Sequence, residues 1–321
     1  MEAVQELDIE YSEKVPDDPD RLLAVVVPGS SEASVSTPLR VGLAMPILGA
    51  PQVEVWRTEL PIERGIDGKV VWSSAGDLLV AAIAIEDAGP IAMRADEAYR
   101  TIIPFVRRAG FPNLLRMWNQ VPRLLVHDEG LERYQAFCAG RYAAFESAGF
   151  TLDGDLPAAS AVGTGGDTLV VTVVSSRRKA AYFENPRQVS AFHYPPQYGP
   201  KSPSFARASR VDIDGGALIF VSGTASIVGH ASLHPGDAAA QVDETVENLR
   251  LVYGSAAGRE LRCLREARGA HYRIYVKHDE DFETIRARFQ PQIADDASCL
   301  WLRGEICRGE LLVEIEMIGR E

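Results

Sequence analysis

The feature that most restricts the fold of this chain is an order of elements that occurs twice. In the first half, strand-like runs at Val53–Glu59, Lys69–Ser74 and Leu78–Ile85 read as a meander, with the turn residues Ala75, Gly76 and Asp77 between the last two. Over 95–109, Ala98, Ile102, Phe105, Val106 and Ala109 recur at helical spacing, and Gly110 ends the run. A strand over Leu114–Gln120, a helix over Gly130–Ala148 and a strand over Leu169–Val174 follow, the last after a glycine-rich turn at Gly163–Asp167. The second half has strands at Arg210–Ile213 and Ala217–Ser222, a helix over Gly236–Tyr253, a strand over Tyr272–Val276 and a helix over Asp281–Phe289. It closes with strands over Cys299–Ile306 and Leu311–Ile318. Two copies of one α+β unit fit this order better than one large sheet, although the halves share little residue identity.

A length of 321 residues agrees with two domains of ordinary size. Residues 15–52 carry Pro16, Pro19, Pro28, Pro38, Pro46 and Pro51 and read as an irregular stretch with two short strands, at Leu22–Val27 and Val41–Leu48. Between the copies, residues 183–209 hold five prolines and little periodicity. A stretch of that kind inside a compact protein is a functional loop or a linker, and its aromatic and basic content favours the loop. The expected domains are 1–180, a connecting loop over 181–206, and 207–321.

Composition narrows the function. A net charge of −12 repels nucleic acid and anionic membranes, and no basic run with interleaved aromatics offsets it. The longest apolar run, Leu78–Ile85, is too short to span a bilayer, and the acidic N-terminus is unlike a signal peptide, so a cytoplasmic protein is expected. Cys138, Cys263, Cys299 and Cys307 form no C-x-x-C pair and read as reduced thiols. The histidines show no metal-ligand spacing, and glycine-rich nucleotide loops are absent, so neither a metal nor a cofactor is expected. An anionic ligand would need a local cluster of arginines.

Several residues stand out against that background. On the second helix, Leu131, Tyr134, Cys138 and Phe145 form an apolar stripe, and Arg141 falls within it. A guanidinium cannot shed its proton to escape burial, so Arg141 requires an anionic partner, either an internal carboxylate or a bound ligand. Arg207 closes the long loop where a side chain can point into a cleft between domains, or can simply be solvated. Tyr194 and Tyr198 sit among stiffening prolines, placed to orient a ligand or to pack on a domain face. In the last strand Glu314 and Glu316 share a face with Leu312 and Ile318: a wet face, or a partly buried wall on which a carboxyl pKa would rise.

The second half resembles the small RidA (YjgF-type) proteins through Val221-Ser-Gly-Thr-Ala-Ser, Gly236-Asp-Ala-Ala-Ala-Gln, Thr245-Val-Glu-Asn-Leu, Val276-Lys with Asp281-Phe, and Leu312-Val-Glu-Ile-Glu. The whole chain resembles a narrower family, the chorismatases. The motifs are Leu115-Arg-Met-Trp-Asn, Glu129-Gly-Leu-Glu-Arg-Tyr-Gln-Ala-Phe-Cys-Ala-Gly-Arg, Leu156-Pro-Ala-Ala and Glu184-Asn-Pro-Arg-Gln-Val-Ser-Ala-Phe. Tyr198-Gly-Pro-Lys-Ser-Pro-Ser-Phe-Ala-Arg, Ser222-Gly-Thr-Ala-Ser-Ile-Val-Gly-His and Cys307-Arg with Leu311-Leu-Val-Glu-Ile-Glu continue them to the end of the chain. The stretch Asp296–Trp301 lacks the carboxylate-binding arginine of plain RidA proteins, which weakens an imine-deaminase reading.

The resemblance implies an α+β fold of two RidA-like units, each a mixed sheet with helices on one face. It implies removal of the enolpyruvyl group of chorismate as pyruvate, without metal or cofactor. The ring product would be a hydroxybenzoate (3-hydroxybenzoate, alone or with 4-hydroxybenzoate) or, by simple hydrolysis, the trans-dihydroxycyclohexadiene carboxylate. A non-catalytic RidA-like binding protein is the rival of another class. Glu314 falls at the catalytic acid, Arg141 and Arg207 at the anchors for the two carboxylates, and Tyr134, Tyr194 and Tyr198 beside them. Cys307 and Ala225 fall at positions linked to product choice. RidA proteins are trimers, but two fused units can satisfy one such contact internally, so monomer and pseudo-trimeric assembly both stay open.

Overall fold

The computed structural model describes residues 7–128, 130–151 and 154–321; Glu2 and Glu6 of the acidic N-terminus, and Glu129, which opens one motif, lie outside them. The N-terminal stretch is more regular than its prolines suggest. Strands β1 (Asp8–Ser12), β2 (Leu22–Val27), β3 (Ser34–Ser36), β4 (Arg40–Gly42) and β5 (Val53–Arg57) form one sheet in the order β1-β5-β2-β4-β3. Val53–Glu59 is therefore no part of a meander. It pairs with β1 and β2, and its place beside them is set by contacts distant in sequence.

The first copy comprises β6 (Glu63–Asp67), β7 (Val70–Ala75), β8 (Leu78–Glu86), α1 (Ile91–Arg108) and β9 (Asn113–Pro122). After the two-residue strands β10 (His127–Asp128) and β11 (Leu131–Glu132) come α2 (Arg133–Ser147), β12 (Ala158–Thr164) and β13 (Thr168–Ser176). Helix α2 starts at Arg133 rather than Gly130, because β10 and β11 pair as a hairpin and Gly130 takes φ +85° in its turn.

The second copy opens with β14 (Ala180–Phe183), then β15 (Ala208–Ile213), β16 (Gly216–Thr224), the short pair β17 (Ile227–Val228) and β18 (Ala231–Ser232), and α3 (Ala238–Ala257). It ends with β19 (His271–Val276), α4 (Phe282–Phe289), β20 (Ser298–Arg303) and β21 (Val313–Arg320). The two sheets run β12-β9-β13-β8-β7-β6 and β20-β19-β21-β16-β15-β14. These orders coincide position for position. In each, only the outermost pair is parallel, β12 with β9 and β20 with β19.

Alternation along the strands explains the layers. On β8, Leu79, Ala81 and Ile83 pack under α1 and α2, while Leu78, Val80 and Ala82 face the opposite side. On β16, Ile219 and Val221 pack under α3, and Leu218 and Phe220 face away. The outward sides of both sheets meet Leu23, Val26 and Trp56 of the N-terminal sheet in a single central core. Burial on both faces is why Leu78–Ile85 reads as an unbroken apolar run. Among the described residues no helix is long and apolar enough to cross a membrane.

Where the copies meet, β12 runs beside β16. The Ala159 amide donates to Ser222 Oγ at 2.8 Å, and the Gly223 amide donates to Ser160 Oγ at 3.0 Å. The connecting loop folds over this seam, with Ala206 bridged to Ala158.

Candidate active site

A cavity of about 210 Å³ opens at the seam, walled by α2 and β12 of the first copy, by β16 and β21 of the second, and by the connecting loop. Glu314, Cys307, Arg141, Arg207, Tyr134, Tyr194, Tyr198 and Ala225 all line it, although they come from elements far apart in sequence.

Arg141 points inward from α2 and is 1% exposed. Its guanidinium lies against the rings of Phe137 and Phe205, 5.3 and 5.9 Å from their centroids, and beside the Tyr99 hydroxyl. No carboxylate pairs with it among the described residues, and its Nε has no partner. Among the described residues the internal ion pair that burial calls for is absent, and Arg141 lines the cavity.

Arg207, just before β15, is also buried. Its Nη2 donates to the Tyr194 hydroxyl at 2.8 Å and to the Val189 carbonyl at 3.1 Å, and its Nε has no partner. Tyr194 thereby helps to hold the guanidinium while it lines the cavity. At the mouth, the Tyr198 hydroxyl meets His230 Nδ1 at 3.1 Å, and the Arg308 guanidinium stacks 4.0 Å from the Tyr198 ring centroid. Arg308 is fixed by the His230 carbonyl at 2.9 Å and Ser232 Oγ at 3.0 Å.

Glu314 enters from β21. The wet-face reading of this strand fails: Glu314 and Glu316 are 4% and 3% exposed. Glu314 makes no hydrogen bond or ion pair with any described residue, and Gly223 packs directly against its carboxyl. Burial pushes its pKa up to about 8; the charge of Glu316 adds to the rise, and Arg116 and Arg207 oppose it. At neutral pH the group is an acid with a proton to give.

Cys307 lies beside it. Burial, and then the proximity of Glu314, push the thiol well above its ordinary value, so it is a neutral, weakly polar wall and no thiolate nucleophile. Burial likewise keeps Tyr134 a neutral phenol. Ala225 packs with Ile227, Ile306, Leu311 and Cys307, so its methyl group shapes the same wall.

Ser160, Gly223, Phe205, Arg308, Glu132 and Glu310 also line the cavity. Gly223, Phe205, Arg308 and Glu132 belong to the family motifs, but nothing in the sequence marked Ser160 or Glu310 as facing a ligand. The arrangement supplies a buried carboxyl with a raised pKa, two buried guanidiniums with unused donors, and a wall that is apolar around Ala225 and Cys307 and charged at Glu132, Arg308 and Glu310. It can bind a dianion and protonate it.

The chain is similar to several known proteins. The family model "Chorismatase FkbO/Hyg5-like, N-terminal" matches residues 54–175. A 3-hydroxybenzoate synthase of Streptomyces hygroscopicus is 34% identical over 280 residues, covering 83% of this chain and 81% of that protein. A chorismatase of Streptomyces hygroscopicus is 32% identical over 271 residues, covering 82% and 78%. A chorismatase crystal structure superposes with a TM-score of 0.90 at 27% identity, covering 99% of both chains. The α+β fold expected from the element order stands, and the chain belongs to the chorismatase family.

Proposed function

We propose that this protein converts chorismate to pyruvate and a hydroxybenzoate, 3-hydroxybenzoate as the main ring product, with Glu314 as the general acid. The observation that carries the reading is a buried carboxyl, with no hydrogen-bond or ion-pair partner among the described residues and a raised pKa, facing a cavity that also holds two arginines with unused donors. Chorismate is a dicarboxylate whose side chain is an enol ether. Arg141 and Arg207 take one carboxylate each, through charge-assisted hydrogen bonds. Tyr194 fixes the direction of Arg207, and Tyr198 with Arg308 closes the mouth over the ligand.

Glu314 then delivers its proton to the methylene carbon of the enol ether, which leaves an oxocarbenium ion on the adjacent carbon. Attack by the ring hydroxyl, followed by loss of pyruvate and aromatisation, gives the hydroxybenzoate with no net consumption of water. Attack by water gives pyruvate and the dihydroxycyclohexadiene carboxylate instead. The neutral thiol of Cys307 supports the first course, because it narrows the wall without offering a base to activate water. The small Ala225 side chain beside it favours the second, so the choice between the products rests on this wall.

Incubation with chorismate, a coupled assay for pyruvate and chromatography of the ring product test the proposal. Equal amounts of pyruvate and 3-hydroxybenzoate are expected. Pyruvate with only the dihydroxycyclohexadiene product would place the enzyme on the hydrolytic branch, and binding without pyruvate would make it a non-catalytic binding protein.

A further inference from the structure

Two residues beyond Glu314 on β21, Glu316 points the same way into the space where the three sheets meet. Unlike Glu314 it is surrounded by donors. Arg116 of β9 stands 3.0 Å from its Oε1, Trp118 Nε1 donates to its Oε2 at 2.7 Å, and Arg273 of β19 lies 4.0 Å from Oε2. Arg273 in turn forks onto Glu54 of β5 with two hydrogen bonds of 2.6 Å, and Trp56 donates to Glu54 at 2.6 Å. Glu54 and Glu316 thus balance Arg116 and Arg273 inside a sealed core to which all three sheets contribute.

Ser160 of β12 joins this cluster to the cavity. Its oxygen accepts from the Gly223 amide at 3.0 Å and from Arg116, and its hydroxyl helps to lower the pKa of Glu316. A carboxylate flanked by two guanidiniums, the Trp118 indole N–H and the Ser160 hydroxyl remains ionised when buried. A partnerless carboxyl next to it does not.

We propose that Glu316 is a positioning residue of this site, a clamped and charged carboxylate whose fixed field adds to burial in keeping the transferable proton on Glu314. The inference rests on the reading of Glu314 as the acid. Burial raises Glu316, but Arg116, Arg273, Ser160 and Trp118 together bring it below its ordinary value, while Glu314 moves the other way. The groups facing Glu314 are Glu316 on its own strand, Arg116 from β9, Arg207 from the connecting loop and Cys307. Those facing Glu316 are Arg116, Arg273, Ser160 and Trp118, with Tyr275 of β19 close by and Glu54 behind Arg273. The N-terminal sheet enters catalysis by this route, since Glu54 is what anchors Arg273.

The test is the pH dependence of kcat/KM for chorismate in wild type, Glu316→Gln and Arg116→Gln. Loss of the like charge in Glu316→Gln moves the alkaline limb down by about one pH unit or more, and loss of the opposing cation in Arg116→Gln moves it up. A limb that stays in place in Glu316→Gln, or shifts the same way in both variants, overturns the proposal. Either substitution unbalances a buried cluster and can impair folding, so carboxyl infrared absorption at neutral pH is measured as well. The protonated-carboxyl band of the wild type should lose intensity in Glu314→Gln; no loss there means that Glu314 is ionised and that Glu316 does not hold its proton. If wild type releases no pyruvate, the functional reading fails, while the infrared comparison still decides where the proton sits.

Discussion

A Cβ placed on Gly223 would stand 2.0 Å from Oε1 of Glu314 and 2.6 Å from its Cδ. The glycine on β16 is thus the floor on which the carboxyl rests, and any side chain there displaces it. Gly223→Ala is expected to lower turnover on the order of a hundredfold, as misplacing a reacting group by about 1 Å does. Its melting temperature should stay near that of the wild type. Undiminished kcat in Gly223→Ala would show that the carboxyl has freedom the packing denies it.

The protonation state of Glu314 sets the pH profile. The reaction needs the acid form, and burial together with Glu316 holds the group protonated up to about 8. The logarithm of kcat/KM should be level near neutrality and fall above pH 8, approaching about tenfold per unit. Activity that rises through this range would mean that the carboxylate acts as a base.

Arg141 and Arg207 separate binding from folding. Neither is needed to neutralise a buried carboxylate that the structure shows paired to it, so Arg141→Ala and Arg207→Ala should fold and raise KM. Loss of a charge-assisted contact worth roughly 1.5–3 kcal/mol corresponds to about ten- to a hundredfold. Steady-state kinetics with circular dichroism checks both halves of the expectation.

Arg273 should behave in the opposite way. Its removal leaves Glu54, fully buried, without its bidentate partner. Arg273→Ala is expected to lose about 3–5 kcal/mol of stability in denaturant unfolding, because breaking one side of a buried pair strands the other charge. A loss under about 1 kcal/mol would mean that water or a rearranged partner reaches Glu54.

The repeated unit was legible because long, strongly periodic elements such as α1 and the β7–β8 hairpin carry their own signal. That Glu314 and Glu316 share one face followed from alternation along the last strand; that this face is buried did not, because it depends on what packs against it. In the N-terminal sheet, β2 and β5 were legible as strands, but their pairing was not, and the strand expected over Val41–Leu48 is only the short β4 at Arg40–Gly42; β3 and β4 have three residues each, too few for a period. The clamp on Glu316 was not legible either, since Arg273 finds Glu54 across 219 residues of sequence. Which alternative held for Arg141 also depended on what stands opposite it in space, and no spacing within α2 encodes that.

The central claim is that Glu314 protonates chorismate, and the most direct measurement compares pyruvate release by wild type and Glu314→Gln at neutral pH. Glutamine keeps the size of the side chain and its place against Gly223 but has no proton of comparable acidity to transfer. The account predicts that turnover falls by about a hundredfold or more while chorismate binding, measured by calorimetry, is largely retained. Pyruvate release by Glu314→Gln at a rate near that of the wild type would contradict it.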